Sequence, residues 1–442
     1  MKLENFAEGK WIPHSGEGFS QYNAITGDLI STAGSEGLDY HAMHTYAREV
    51  GGPALRKMTF YERGYMLKKL ALYLNGIKKK YYPISYLSGA TKSDSWVDID
   101  GGIGTLFSYA SLRRQLGNQR FYVDGDTANI SKNGTFIGQH ILSPKQGVVI
   151  HINAFNFPIW GMLEKVSVNL LAGVPAIVKP SEITSYLTQA MVKDIIDSNI
   201  LPEGALQLDC GKGIGILEGL TSQDMVTFTG SASTGQMLKN LPQITENSVH
   251  FNMEADSLNA AVLGEDAVPG SETFNLFVKE VRREMTTKAG QKCTAVRRVI
   301  VPEKYLEDVQ IALSQNLQKT TIGNPANESV RMGALVSRDQ LKDVRERVEL
   351  LAKNTPIVFG DLSNFDVVDA DKNKGAFLSP ILMVNDSPFT KTDSHTVEAF
   401  GPVSTIMPYH GIDEAIELAK MGKGSLVSTI ATSDEEIATN YV

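Results

Sequence analysis

Cys293 stands in a segment whose composition suits covalent chemistry, the run KAGQKCTAVRR at 288–298. A cysteine attacks an electrophile only as a thiolate, so a reactive one needs partial exposure together with nearby positive charge or backbone donors. Lys288, Lys292 and Arg297 supply positive charge in this run. A lone cysteine is also common as a small buried apolar side chain. The residues alone therefore leave nucleophile and core residue both open.

The elements on either side of Cys293 would place it in a junction loop. Before it, apolar residues recur at helical spacing and predict a helix with one buried face, at Phe274, Phe277, Val278, Val281 and Met285. Gly290 ends this pattern, and the run AVRRVIVP that follows is typical of a β-strand. The other cysteine, Cys210, closes the apolar run GALQLDC, and we interpret it as structural.

The composition is that of a globular protein. With 442 residues, a net charge of -8 and 42% hydrophobic residues, the chain predicts roughly two or three domains. The mild acidity argues against a nucleic-acid or membrane-surface partner. Two cysteines cannot form a disulfide framework, and neither a signal peptide nor a spanning segment is evident, so a cytoplasmic location is predicted.

The first 120 residues predict a mostly helical scaffold. Thr59 and Glu62 form a capping-box pattern, and Gly101, Gly102 and Gly104 are expected to precede a further helix. Residues 121–146 then predict a projecting β-hairpin that turns at Asn133 and Gly134. An exposed hairpin edge suits pairing between subunits, so a homo-oligomer is expected.

From Gly147 onward, strands alternate with helices, which indicates a parallel α/β sheet. Two glycine-rich turns in this region could hold a dinucleotide. The turn with Gly211, Gly213 and Gly215 is the weaker signal. The run from Gly230 to Gly235 directly follows an apolar strand and can open a helix whose amides face a phosphate. It departs from the usual dinucleotide fingerprint, so the residues alone leave nucleotide binding open.

Histidines give no metal-site pattern. Only His41 and His44 share helical spacing, and we interpret them as a surface face without an acidic third ligand. No metal is predicted.

Several short segments, in a fixed order, together resemble the aldehyde dehydrogenase family nearly from end to end. They are FNFP at 155–158, IVKPSE at 177–182, FTGS at 228–231, GQKCTA at 290–295 and EAFGPV at 398–403. Longer phrases such as HINAFNFPIWGMLEK and REMTTKAGQKCTA look closer still to the branch found in phenylacetate degradation, where the dehydrogenase is fused to a hydratase. The resemblance implies an NAD(P)-dependent oxidation of an aldehyde, in this branch a CoA-linked semialdehyde, to the acid.

The family's architecture implies an α/β fold in three parts. A Rossmann-type NAD(P)-binding domain would comprise residues 1–120 and 147–254, an oligomerisation hairpin 121–146, and an α/β catalytic domain 255–442. Ser433 and Glu436 predict a cap for a new helix shortly before the chain stops at Val442. We therefore expect a catalytic domain truncated before the family's final strand, with the hydratase half absent.

The resemblance also implies the catalytic roles. Cys293 would attack the aldehyde carbon. The Asn156 amide, with the Cys293 backbone N–H, would stabilise the resulting oxyanion. Glu254 would activate the water that releases the acid. Without the resemblance, the surroundings of Glu254 favour a solvated loop carboxylate.

Cofactor contacts are implied in the same way. Lys179 and Glu398 match the residues that hold the two riboses, Phe400 would pack near the nicotinamide, and Gly230, Ser231 and the helix through Gly235 would meet the pyrophosphate. Glu182 favours NAD, because a carboxylate can accept a bond from a ribose 2′-hydroxyl and repels a 2′-phosphate. The phenylacetate branch implies NADP, so NAD and NADP both remain open.

Other functions fit part of the same pattern. A 3,4-dehydroadipyl-CoA semialdehyde dehydrogenase of benzoate breakdown would use the same residues. A CoA-acylating dehydrogenase would need Cys293 but no water-activating base, so Glu254 argues against it. A non-catalytic domain that binds nucleotide and supports assembly is the alternative outside enzymes.

Overall fold

The computed structural model describes residues 1–423 and 425–442. The described chain divides into two compact units: the first comprises Met1–Gln21, Leu29–Ile84 and Ser95–Ala255, and the second comprises Tyr22–Asp28, Ser85–Asp94 and Asp256–Val442. The strands are β1 (Glu4–Ala7), β2 (Lys10–Pro13), β3 (Phe19–Tyr22), β4 (Leu29–Ala33), β5 (Tyr122–Asn129), β6 (Ile137–Leu142), β7 (Val149–Ile152), β8 (Ala176–Lys179), β9 (Leu206–Leu208), β10 (Met225–Gly230), β11 (His250–Ala255), β12 (Ala260–Leu263), β13 (Arg298–Pro302), β14 (Ile357–Phe359), β15 (Ile381–Val384), β16 (Val403–Tyr409) and β17 (Ser428–Ala431).

The α-helices are α1 (Tyr40–Tyr46), α2 (Gly52–Lys57), α3 (Phe60–Ile77), α4 (Tyr82–Tyr86), α5 (Lys92–Ser111), α6 (Arg113–Leu116), α7 (Pro158–Ala172), α8 (Ser185–Asp197), α9 (Ala232–Lys239), α10 (Pro242–Thr245), α11 (Glu272–Thr286), α12 (Leu306–Leu317), α13 (Arg338–Ala352), α14 (Ile412–Lys420) and α15 (Glu435–Tyr441).

The first unit is built on a seven-stranded sheet in the order β11-β10-β7-β8-β9-β1-β2. From β11 to β9 neighbouring strands are parallel, as the alternating pattern predicts. These strands read as continuous apolar runs because both faces are covered, and Ile150, Ile177 and Val226 lie in one buried cluster. β1 and β2 add an antiparallel edge that the pattern did not predict.

Two helix features of the first unit bear on the predictions. The capping box at the start of α3 is confirmed, with Thr59 accepting from the Glu62 N–H and the Glu62 carboxylate accepting from the Thr59 N–H. The expectation that Gly101, Gly102 and Gly104 precede a helix is wrong, because all three lie within α5. A Cβ at Gly101 would lie 2.2 Å from the Trp160 ring, so the glycine serves close packing of that indole.

The predicted hairpin is present as the antiparallel pair β5 and β6, which runs from Tyr122 opposite Leu142 to Asn129 opposite Ile137. Its connection is seven residues long, 130–136, and the turn closes where the Gly134 N–H donates to the Ser131 carbonyl. Gly134 has φ +67, which glycine adopts without a steric cost. The hairpin presents several exposed apolar side chains, namely Ile130, Phe136, Ile137, Ile141 and Leu142.

The second unit is built on a six-stranded sheet in the order β14-β15-β16-β13-β12-β17, parallel except for β14. The predicted helix and strand around Cys293 are confirmed as α11 and β13. The apolar face of α11 packs into one buried cluster with Val299 and Val301 of β13. The last helix, α15, is capped by Asp434, which accepts from the Glu436 and Ile437 N–H groups, so the predicted cap at Ser433 is wrong by one residue.

The two remaining predictions concern membranes and metals. Within the described residues, no helix is both long and apolar enough to cross a membrane. The interpretation of His44 as a surface residue is wrong, because its side chain is 0% exposed and burial lowers its pKa to about 4. Among the described residues, no group of three or more potential ligands could hold a metal ion.

Candidate active site

The carboxyl edge of the first unit's parallel sheet carries the candidate residues of that unit. Glu254 lies near the end of β11, Gly230 at the end of β10 and Lys179 at the end of β8, while Asn156 lies in the loop between β7 and α7. Because parallel strands end at one edge of a sheet, these residues belong to a single edge. Ligands of open α/β sheets bind outside this edge, which makes it the expected cofactor side.

Glu254 lies in a strand, and Asn156 lies in the loop just before a helix. Glu254 is part of β11, opposite Thr229 of β10, so the alternative of a loop carboxylate is wrong. It is partly buried. Asn156 is 7% exposed, two residues before Pro158 begins α7. Proline at the first helical position is favoured because its missing N–H would have no partner there.

Lys179 and Glu182 form an ion pair. Lys179 Nζ lies 3.3 Å from Glu182 Oε2, and Lys179 is almost fully buried. The Gln21 amide donates to the Glu182 carbonyl at 2.5 Å and to Ser185 Oγ at 2.9 Å, which fixes the backbone that presents Glu182. The pair therefore offers a carboxylate oxygen and an ammonium group close together at the end of β8.

Ser231 and Gly235 define the start of α9. Ser231 is the N-cap, and its hydroxyl accepts from the Thr234 N–H at 3.3 Å. Gly235 is buried, and a Cβ there would lie 2.7 Å from Met253 Cε. Gly235 therefore lets α9 pack closely on β11, and the N-terminus of this helix suits an anion.

Buried polar atoms without partners also favour a polar ligand at this edge. Both amide atoms of Asn153, which directly follows β7, lack a hydrogen-bond partner among the described residues. Thr229 Oγ1, near the end of β10, is in the same situation. Unsatisfied buried groups are costly, so native proteins keep them mainly where a ligand or water completes them. The first unit therefore fits a dinucleotide. Sequence reasoning missed Asn153, although it lies only three residues before Asn156.

Cys293 lies partly exposed in the loop between α11 and β13. Cys293 belongs to a turn that is closed by a hydrogen bond, which the Ala295 N–H donates to the Lys292 carbonyl at 3.1 Å. The Asn259 amide donates to the carbonyls of Cys293 and Ala295, each at 2.9 Å. Asn259 therefore fixes the backbone that carries the thiol. No local pattern around Asn259 predicted this role.

The three cations that flank Cys293 in sequence have different partners. Lys292 Nζ contacts both carboxylate oxygens of Glu284, at 2.7 and 2.8 Å. Lys288 is buried, and its ammonium donates to Ser88 Oγ at 3.1 Å. Arg297 is buried as well, and burial lowers its pKa, which the charge of Glu398 and then that of Cys293 oppose.

Glu398 and Phe400 lie on the segment before β16. The Ser257 N–H donates to Glu398 Oε2 at 3.3 Å. Glu398 Oε1 lies 3.5 Å from Arg297 Nε, too long for a strong hydrogen bond, and accepts none from the described residues. Burial raises the pKa of Glu398, which Arg297 opposes. A ligand hydroxyl would satisfy Oε1, so Glu398 fits the ribose contact that the resemblance implies.

Two other features lie outside this set of residues. Cys210 is fully buried, and burial raises the pKa of its thiol, which agrees with the structural role predicted for it. A cavity of about 1220 Å³ in the first unit is lined by residues of 18–20, 33–41 and 212–219, among them Gly215 of the weaker glycine-rich turn.

Comparison with known proteins identifies the family. The family model described as the aldehyde dehydrogenase family matches residues 11–442. A 3,4-dehydroadipyl-CoA semialdehyde dehydrogenase of Aromatoleum evansii is 41% identical over 435 residues, 98% of this chain and 84% of that protein. Human 2-aminomuconic semialdehyde dehydrogenase is 24% identical over 444 residues, 98% of this chain and 86% of that protein.

Solved structures agree on the fold. A putative aldehyde dehydrogenase from Burkholderia cenocepacia superposes with a TM-score of 0.88 at 22% identity, covering 100% of this chain and 87% of that one. Betaine aldehyde dehydrogenase from Staphylococcus aureus, solved with NAD+, has a TM-score of 0.87 at 21% identity, covering 100% and 85%. The α/β fold, the family match over nearly the whole chain and the 41% identical relative lead to one conclusion: the chain belongs to the aldehyde dehydrogenase family and is an NAD(P)-dependent oxidoreductase acting on aldehydes.

Proposed function

We propose that the protein oxidises a CoA-linked semialdehyde from aromatic ring cleavage to the corresponding acid. The observation that carries this proposal is the 41% identity, over 98% of the chain, to a dehydrogenase named for a CoA-linked semialdehyde. The 3,4-dehydroadipyl-CoA semialdehyde of benzoate breakdown is the first candidate substrate. The semialdehyde of phenylacetate degradation is the second, because the runs HINAFNFPIWGMLEK and REMTTKAGQKCTA resemble that branch.

The proposed reaction begins at sulfur. The Cys293 thiolate adds to the aldehyde carbon, which gives a thiohemiacetal with a negatively charged oxygen. Bound NAD(P)+ supplies a two-electron acceptor for the hydride on that carbon. Loss of the hydride leaves a thioester on Cys293. Water then adds to the thioester, and collapse releases the carboxylic acid and returns the free thiol.

Each remaining residue has a role in this scheme. The Asn156 amide donates to the oxyanion, as a donor aimed at developing charge stabilises a transition state. Glu254 takes a proton from the attacking water. Glu398 and Lys179 hold the two ribose units, Phe400 packs near the nicotinamide, and Gly230, Ser231 and Gly235 form the helix start that receives the pyrophosphate. Residues 1–120 and 147–254 form the cofactor domain and 255–442 the catalytic domain.

A substrate comparison tests the proposal. Nicotinamide reduction is followed at 340 nm with a CoA-linked semialdehyde and with the same semialdehyde as its free acid. The proposal expects kcat/KM to be at least about tenfold higher for the CoA thioester, the effect of roughly 1.4 kcal/mol of added binding. Equal values for the two compounds would leave an aldehyde dehydrogenase but remove the CoA-linked substrate.

Glu182 is expected to set the preference between NAD and NADP. Its carboxylate would accept from a ribose 2′-hydroxyl and repel a 2′-phosphate, while its partner Lys179 would remain to attract that phosphate. In Glu182→Gln, the ratio of kcat/KM for NADP to that for NAD should rise by about tenfold or more. Glu246→Gln, at an exposed glutamate of the same unit, is the control and should leave the ratio unchanged. A ratio equally unchanged in Glu182→Gln would assign the preference to other residues.

The hairpin is proposed as the contact between subunits of a homo-oligomer. Its apolar side chains are exposed, with Phe136 at 63% and Ile141 at 60%. In a two-stranded sheet, each strand also has one outer edge that is not paired with a further strand. The variant with Phe136→Asp and Ile141→Asp should sediment as a smaller species than the wild type. Leu72→Asp, at an exposed leucine of α3, is the control and should not change the sedimentation coefficient. A wild type that sediments as a monomer would contradict the proposal.

A further inference from the structure

Arg297 joins two segments of the second unit that carry predicted site residues. It is 4% exposed and immediately precedes β13. Arg297 Nη2 donates to the Gly290 carbonyl at 2.8 Å, three residues before Cys293. Arg297 Nη1 donates to the Gly401 carbonyl at 2.7 Å, directly after Phe400. A single guanidinium thus bridges the turn before the thiol and the segment that carries Glu398 and Phe400.

The turn held by Arg297 has an unfavourable backbone. Lys288, Ala289 and Gly290 take φ values of +53, +50 and +69, a run in the left-handed region that non-glycine residues rarely enter. Such a conformation persists only when its surroundings impose it. The Lys288 N–H donates to Asp94 at 2.8 Å, and the Gln291 amide donates to the Lys288 carbonyl at 2.9 Å. Arg297 adds the bond to Gly290.

The two bridged segments also touch each other. A Cβ at Gly290 would lie 2.1 Å from the Gly401 carbonyl oxygen, so the two backbones are in direct contact. A small displacement of either segment would therefore move the other. The guanidinium fork matches two carbonyls at once, whereas a lysine ammonium is a point charge without this geometry.

The charge of Arg297 also faces groups of the site. Glu398 Oε1 lies 3.5 Å from Arg297 Nε, and the Phe400 ring centroid lies 5.4 Å from the guanidinium carbon. Electrostatic attraction to Glu398 and, to a smaller extent, to Cys293 opposes the lowering of the Arg297 pKa by burial. Of the other charged groups of this unit, Lys292 is paired with Glu284 and Lys288 donates to Ser88. The negative charge of Asp256 contributes to the raised pKa of Glu398.

We propose that Arg297 is a positioning residue that holds the Cys293 turn against the Glu398–Phe400 segment and favours the Cys293 thiolate by its buried positive charge. This inference rests on the proposed role of Cys293 as nucleophile. It assigns two separable functions to one side chain. The fork geometry sets the positions of the two segments, and the charge sets the fraction of thiolate.

Alkylation of the thiol measures the charge effect without substrate or cofactor. The rate of Cys293 modification by iodoacetamide is followed by intact mass between pH 5 and 10, with Cys293→Ala as the background. An opposite charge nearby lowers the pKa of an acidic group by about one unit or more, so Arg297→Gln should raise the midpoint of this profile by about one unit. At pH values below the midpoint, the alkylation rate of Arg297→Gln should be about tenfold lower than that of the wild type. Arg347→Gln, at a half-exposed arginine of α13 in the same unit, is the matched control and should keep the wild-type midpoint.

Arg297→Lys separates geometry from charge. It should keep the midpoint near that of the wild type, while KM for the nicotinamide nucleotide rises several-fold because the Glu398–Phe400 segment is no longer fixed. A midpoint unchanged in a folded Arg297→Gln would overturn the charge effect. Wild-type kcat and KM in Arg297→Lys would overturn the positioning effect. If Arg297→Gln does not fold, Arg297→Lys still tests that effect.

The outcome for Cys293→Ala separates this inference from the proposed function. If that variant still oxidises aldehydes, the proposed mechanism through Cys293 fails whatever the Arg297 variants do. If it is inactive while both Arg297 variants behave as wild type, the function stands and the inference about Arg297 fails.

Discussion

Replacing Cys293 by alanine is expected to abolish aldehyde oxidation, with kcat lower by at least about 10⁴-fold, the scale on which loss of a covalent nucleophile acts. Without sulfur at this position no thiohemiacetal forms, so the carbon has no route to the thioester. The partial exposure of Cys293 and the fixed backbone around it agree with this role. The measurement is the steady-state and single-turnover rate of nicotinamide reduction.

Cys210→Ala is the matched control, since Cys210 is the other cysteine and lies fully buried in the first unit. It should lose some stability through the cavity it leaves but keep a single-turnover rate near that of the wild type. Nucleotide binding, followed by fluorescence, should survive in Cys293→Ala. Oxidation that persisted in this variant would remove Cys293 as the nucleophile, whereas a wild type that bound nucleotide without oxidising any aldehyde would favour the non-catalytic alternative.

Local sequence signals predicted the elements that hold the site. The apolar spacing of Phe274 to Met285 predicted α11, and the Thr59–Glu62 pattern predicted the start of α3. Both signals come from residues three or four positions apart in sequence, and such residues are neighbours on a helix. The alternation of strands and helices after Gly147 likewise indicated a parallel sheet, in which β7, β8 and β10 are parallel and largely buried.

The contacts that fix the site were beyond such signals because they join distant parts of the chain. Asn259 and Cys293 are 34 residues apart, and Arg297 and Gly401 are 104 apart. Gly101 was misinterpreted for the same reason, since the residue that requires it, Trp160, belongs to another helix. Periodicity gives the face of an element but not its partner, so these roles emerge only from the folded structure.

Replacing Glu254 by glutamine is expected to separate hydride transfer from release of the acid. Glutamine preserves the shape of the side chain in β11 but cannot accept a proton from water. Formation of the thioester does not require this base, so one equivalent of reduced nicotinamide per active site should appear in a burst. Steady-state turnover should then fall by roughly 10²- to 10⁴-fold, the contribution typical of a general base. Rapid-mixing absorbance measures both phases, and the acyl group retained on Cys293 is detected by intact mass.

The same variant distinguishes hydrolysis from transfer of the acyl group to CoA. If water is the acceptor, added free CoA should leave the slow phase of Glu254→Gln unchanged, because CoA has no part in the release step. A CoA-acylating enzyme would instead turn over at the wild-type rate in this variant whenever CoA is present, since a thiolate acceptor needs no base at Glu254. Glu246→Gln, at an exposed glutamate of the same unit, should show wild-type kinetics in both phases. The absence of a burst in Glu254→Gln would move its role to an earlier step, in which the carboxylate deprotonates Cys293 before it attacks.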